Sequence, residues 1–163
     1  MLERVANAVL FQIGWLTCVL GGNSLWLLLA LAVLVIHLRW ISSWAAEGRL
    51  VLSVVIVGTA VDSVLRALGV FEFQDLSPLI PLWLMLLWAL LATTLRHCLA
   101  WSARPWWLAS SLGAVGGAMS YYAGGRLAGV QFPYGELPTL IGIGLLWALL
   151  FPLLHTMARR LTH

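Results

Sequence analysis

Lysine is absent from this chain, and charge of either sign is scarce: Lys and Arg together number 9, Asp and Glu 6, so that 9% of 163 residues are charged. A soluble domain carries about 25% charged and 45–50% apolar residues. Here the apolar share is 62% and the mean hydropathy is +0.97, which excludes an aqueous globular protein and makes a lipid bilayer the solvent. Also missing is the alternation of apolar and polar residues over about ten positions that marks outer-membrane barrel strands. The apolar stretches are continuous instead, and helices satisfy their own backbone groups in lipid. No connecting segment is long enough for a folded aqueous domain. The two cysteines, Cys18 and Cys98, are expected at opposite depths, which excludes a disulfide, and they lack metal-ligand spacing. There is no Gly-rich phosphate loop, no Ser-His-acid order in a suitable context and no aspartate-rich motif for a metal-diphosphate substrate.

What is present is a set of six apolar runs, at about 5–20, 24–41, 50–70, 78–101, 106–122 and 137–157. Each approaches the roughly 17–25 residues a helix needs to cross a hydrocarbon core about 30 Å thick. The expected fold is therefore all-α: a compact bundle of six transmembrane helices forming one domain over residues 1–163. Run one resembles a secretory signal, with Glu3 and Arg4 before it and Gly21-Gly22 after it. Asn7, Gln12 and Trp15 interrupt it, and Trp15-Leu16-Thr17 before Cys18 lacks the small residue of a lipoprotein signal, so a retained first helix is expected.

Basic residues accumulate on the cytoplasmic side of span ends. With both termini cytoplasmic, Arg4, Arg39, Arg49, Arg96, Arg104, Arg159 and Arg160 fall inside and only Arg66 and Arg126 outside. The net charge of +3 and pI near 9.4 thus describe a membrane-insertion pattern suited to anionic lipid headgroups, with no nucleic-acid partner. Trp40, Trp44, Trp101, Trp106 and Trp107 are expected at the inner interface and Trp26 and Trp83 at the outer one. Trp15, Trp88 and Trp147 lie deeper, for lipid contact or helix packing, or as the lining for an aromatic or polyene ligand.

Chemistry first suggests itself at Asp62 and Arg66, four residues apart in an otherwise uncharged stretch. A charge near mid-bilayer costs about 2.5–3.5 kcal/mol on insertion scales and normally faces a partner or a wet cavity. The two share a helix face and can pair with each other, either as a structural ion pair or as a polar site in the outer half of the bundle. In the second case Tyr121, Tyr122, Arg126 and Glu136 stand near its mouth, with Gln12 and Asn7 adding contacts from the first helix. Residues 121–126 and 131–136 are expected to form the longest outer connection, a lid or re-entrant segment. His37, His97 and His155 fall at similar depth toward the inner ends of even-numbered spans. Two could ligate a haem and three a metal, but no acidic partner is evident and Arg39, Arg96 and Arg159 crowd the same level. They are expected to be interfacial, and no metal or cofactor is expected.

Gly113 and Gly117 have the spacing that lets helix backbones approach closely, for packing within the chain, for a homo-oligomer through that face, or for contact with a ligand. Leu86-Leu87-Trp88-Ala89-Leu90-Leu91 recurs as 145–150, a faint sign of repeated helical hairpins.

The segment 7–22, reading Asn-Ala-Val-Leu-Phe-Gln-Ile-Gly-Trp-Leu-Thr-Cys-Val-Leu-Gly-Gly, together with Asp62-Ser63 and the stretch 146–154, Leu-Trp-Ala-Leu-Leu-Phe-Pro-Leu-Leu, resembles a bacterial membrane-protein family catalogued as domain of unknown function 2878. The resemblance covers nearly the whole chain. It implies a small multi-pass protein of the Gram-negative inner membrane, with a loose link to lipid modification and envelope stress, and assigns no catalytic residue. Two functions are consistent with these features. One is a non-enzymatic transport, lipid-handling or assembly role among membrane lipids, with a lipid or small-molecule ligand at the outer polar site. The other is an integral membrane enzyme acting on a lipid or isoprenoid, with Asp62 as acid or base and Arg66 on an anionic headgroup.

Overall fold

The computed structural model describes residues 1–75 and 77–161, and among these the chain is all-helical. Six α-helices follow one another: α1 Leu2–Gly21, α2 Leu27–Ile36, α3 Trp44–Ala67, α4 Leu82–Ala92, α5 Trp106–Ala128 and α6 Glu136–Arg160. Three of them, α1, α3 and α6, are long and apolar enough to cross a membrane. α2 and α4 are shorter apolar helices, and α5, though 23 residues long, is diluted by glycine, serine and tyrosine.

Every apolar run contains a helix, but the helix ends are set by local chemistry that hydropathy does not report. α3 starts well before residue 50 because Ser43 caps it, its Oγ accepting from the Ala46 amide at 3.2 Å; such a cap satisfies an otherwise orphaned donor. The earlier start brings Glu47 into the first turn. α2 ends in a π-helical turn, His37–Ile41. α4 stops at Ala92, where the Thr93 and Thr94 hydroxyls turn back onto the carbonyls of Leu90 and Leu91 at 2.7 and 2.6 Å. Residues 93–99 continue as turns into a 3-10 turn, Ala100–Ala103.

α5 corrects one expectation outright. It continues to Ala128, where Gly129 adopts the left-handed conformation (φ 69°) that a side chain would resist. Tyr121 through Arg126 are therefore helical and not part of a lid. The remaining connection is tied down by an antiparallel bridge between Glu72 and Gln131, with N···O distances of 3.0 and 3.1 Å.

The most extensive pairing is α5 on α6, and α1 packs on α2 and α4 while α3 packs on α4. Glycine permits the α5–α6 approach: a Cβ at Gly113 would meet the Trp147 carbonyl and Phe151, and one at Gly117 would meet the Trp147 ring. The small-residue face thus serves packing within the chain and is covered by α6. Trp147 also stacks on Trp88 of α4, with ring centroids 5.3 Å apart and planes 8° from parallel. Trp88 in turn lies against Gly58 of α3. The matching tryptophans of the two Leu-Leu-Trp-Ala-Leu-Leu segments thus meet face to face at the centre, each seated on a glycine. The outer surface is apolar, and Trp26, Trp40, Trp44, Trp101, Trp106 and Trp107 are all exposed. Trp83 is buried within the bundle, its backbone amide donating to Asn23 Oδ1 at 3.1 Å.

Candidate functional site

The seven residues expected to make one polar site are distributed over four places. Asp62 is fully buried. Its Oδ2 accepts from Trp88 Nε1 at 2.7 Å and its Oδ1 from the Tyr121 hydroxyl at 2.5 Å, so one carboxylate joins α3, α4 and α5. Arg66 does not pair with it. Its guanidinium reaches Asp75 Oδ1 at 2.5 Å and donates to the carbonyls of Asp75 and Leu79 at 2.7 and 2.8 Å, and it lies over the Phe73 ring. The physical reason is direction: Asp62 points into the bundle, whereas a long arginine near the end of α3 reaches outward to loop carbonyls and an exposed acid.

Tyr122, Arg126 and Glu136 form a separate exposed group. Arg126 donates to Glu136 Oε2 at 2.7 Å and lies 5.5 Å from the Tyr122 ring centroid. Gln12 is exposed on α1 and joins none of these. Of the seven, Asp62 meets Tyr121, and Tyr122, Arg126 and Glu136 meet one another, while each oxygen of Asp62 already accepts one hydrogen bond.

Beside that pair lies a cavity of about 330 Å³ between α1, α4, α5 and α6. Its walls are aromatic and glycine-rich: Trp15, Trp88 and Trp147 all line it, with Gly116 and Gly117 on the α5 side. Among the described residues no charged one lines it; Ser102, Ser120 and the Tyr121 ring are among its few polar contributors. Trp15 donates to Ser120 Oγ at 3.2 Å and Trp88 to Asp62, so the indole N–H groups of both are engaged. What the cavity offers is apolar ring surface, which suits an apolar guest. The deep tryptophans therefore both pack the helices and line a cavity.

At the end of the bundle where α1 begins and α6 finishes, hereafter the near end, a second pocket of about 460 Å³ is lined by Arg96, Arg104, Arg159 and His155, with no carboxylate among the described residues of its lining. Trp101 lines both spaces. Ser102 of the first meets His155 of the second at 3.0 Å, and because the Ser102 hydroxyl donates to the Leu99 carbonyl at 2.7 Å, it accepts from His155 Nε2–H. His155 is buried, and so is His37; neither reaches out to the surface, because each has a hydrogen-bonding partner inside the bundle.

The partner that sequence missed is Glu47, also buried. Its Oε2 lies 2.9 Å from His37 Nε2 and its Oε1 2.7 Å from His97 Nε2, with Arg96 3.7 Å from Oε1. The acid thought to be lacking around the histidines is thus supplied by the first turn of α3. Asn7 completes the group: its Oδ1 accepts from the Cys98 amide at 3.2 Å, and its Nδ2 faces the Thr93 carbonyl at 3.1 Å and His37 Nδ1 at 3.2 Å. A backbone amide can only donate and a carbonyl only accept, so these two partners fix the Asn7 amide. His37 Nδ1 must then accept, which leaves its proton on Nε2, aimed at Glu47. The sequence signal for this group was an acid at the start of one helix, ten residues after a histidine at the end of the previous one.

A family model described as protein of unknown function (DUF2878) matches residues 4–153, and the chain belongs to that family. No curated protein and no solved structure matches the chain.

Proposed function

We propose that the protein is a multi-pass membrane protein of the bacterial inner membrane that holds an anionic amphiphile, its apolar chain in the aromatic cavity and its headgroup at the arginine-lined pocket. One observation carries this: an uncharged, aromatic-walled cavity shares Trp101 with a pocket whose described lining holds three arginines and no acid, Glu47 approaching Arg96 from outside it at 3.7 Å. Apolar ring surface favours a hydrocarbon chain through burial, and guanidinium groups favour a phosphate or carboxylate. At about 330 Å³, the cavity is near the lower end of the roughly 300–1,000 Å³ of ligand pockets, which suits a single chain.

The polar part of the ligand is therefore assigned to the near end and not to the residues around Arg126 and Glu136. In this arrangement six helical segments pass up and down through the bilayer, α2 and α4 lengthened by their π-helical and turn extensions. The near end, which carries Arg4, Arg39, Arg49, Arg96, Arg104, Arg159 and Arg160, faces the cytoplasm, in keeping with the positive-inside rule. Asp62, the acid first suspected of chemistry, is held by Trp88 and Tyr121 as a brace, which supports lipid handling over catalysis.

The test uses protein in zwitterionic-lipid nanodiscs, titrated with a monoacyl phosphate while tryptophan emission is followed. Saturable change is expected with the phosphate, at least tenfold weaker binding with a monoacylglycerol of the same chain, and weakening by Arg104→Ala. Gly116 lines the cavity and a Cβ there would meet nothing within 4 Å, so Gly116→Leu is expected to fill the space without disturbing the fold and to abolish binding. Equal affinity for the neutral lipid, or unchanged binding by Gly116→Leu, would overturn the proposal.

A further inference from the structure

We propose that His37, Glu47 and His97 form a binding site for a divalent first-row transition metal; it borders the amphiphile site through Arg96, which lines the headgroup pocket and lies 3.7 Å from Glu47 Oε1, but does not depend on it. Both imidazoles present the same nitrogen, Nε2, to opposite oxygens of one carboxylate, and the three ligand atoms lie within 4.8 Å of one another. Donors bound to a metal at about 2.0–2.2 Å stand roughly 3 Å apart. The present N···O separations of 2.7 and 2.9 Å open by a few tenths of an ångström on binding, while ligand atoms that now stand within 4.8 Å of one another draw together around the ion.

Two imidazoles and one carboxylate are the ligand set of metal sites that keep a position open for water or substrate. His37 and Glu47 side chains are 2% and 1% exposed, and that of His97 is 19% exposed, so the group is withdrawn from water on two sides and reachable through the third. The backbone supports the same assignment. His37 opens the π-helical turn and His97 lies in the run of turns after α4, two interruptions of regular helix that converge on one regular helix. π-helical turns cluster at functional sites, and non-helical backbone at membrane depth is tolerated where it is buried in protein or lines a cavity.

Asn7 supplies both the obstacle and the discriminating test. With its amide fixed by Cys98 and Thr93, it holds the His37 proton on Nε2, where the metal must bind. Metal entry moves that proton to Nδ1, and Asn7 then turns its oxygen toward it, exchanging two backbone hydrogen bonds for three coordinate bonds to the metal. A carboxylate at position 7 accepts from both the Cys98 amide and His37 Nδ1–H, at the cost of the donor that Asn7 gives the Thr93 carbonyl; outer partners of this kind change metal affinity by about 10–100-fold.

The full-length protein in detergent, stripped with chelator and dialysed against Zn²⁺ or Co²⁺, is expected to retain one metal ion per chain by elemental analysis. Glu47→Gln and His97→Ala are expected to lose it, and Asn7→Asp to bind about tenfold more tightly. Absence of stoichiometric metal in the wild type, or affinity unchanged in Asn7→Asp, would overturn the proposal even if the loss variants failed to fold. Retention of metal by folded His97→Ala would do the same.

Discussion

Two buried acids sit on one helix, Glu47 in the first turn of α3 and Asp62 fifteen residues later, about 22 Å away at 1.5 Å per residue. Both have each carboxylate oxygen engaged, yet by donors of different kinds. Asp62 is held by the N–H of an indole and the O–H of a phenol, one donor on each oxygen. Glu47 is held by two imidazoles with a guanidinium close by, groups that change protonation, bind metals or carry charge. Burial of an acid is therefore not the mark of a site in this fold; the chemistry of its partners is. The far half of α3 is braced, and the near half is equipped.

The largest effect that could sharpen this contrast comes from Asp62→Ala, which strands two buried donors at about 1–3 kcal/mol each. A loss of roughly 2–5 kcal/mol in denaturant unfolding of the solubilised protein is expected, with Asp62→Asn milder because one acceptor remains. A smaller effect is expected at Gly117, where an added Cβ meets the Trp147 ring. Displacing that ring disturbs the Trp88 stack and through it the Asp62 brace, and Gly117→Ala should cost about 1–3 kcal/mol as overpacking does, read as a lower melting temperature. The smallest effect belongs to the exposed Arg126–Glu136 pair: Arg126→Ala should shift stability by only about 0.2–1 kcal/mol. A loss comparable to that of Asp62→Ala would place the outer group within the brace and break the distinction.

The helices were legible because a long apolar run is a local property, and each run contains one. Their ends were not, because Ser43, Thr93 and Gly129 set them through single hydrogen bonds or one left-handed residue. The candidate site was legible only in fragments. Asp62 and Arg66, four residues apart, read as a pair, but spacing along a helix does not reveal that Trp88 and Tyr121 compete for the acid from neighbouring helices while loop carbonyls draw the arginine away. Glu47 escaped notice because the apolar run begins at residue 50 and leaves it in the preceding connection, and because its partners come from ten residues before and fifty after. The cavity depends on where Trp15, Trp88 and Trp147 point, which composition does not report.

The division between the two acids is tested most directly by the zinc dependence of thermal unfolding, measured side by side for Asp62→Asn and Glu47→Gln in detergent. The expected result is that Asp62→Asn melts lower than wild type yet keeps the full zinc-induced rise, while Glu47→Gln shows no rise at any zinc concentration. A rise retained by Glu47→Gln, or lost in folded Asp62→Asn, would contradict it.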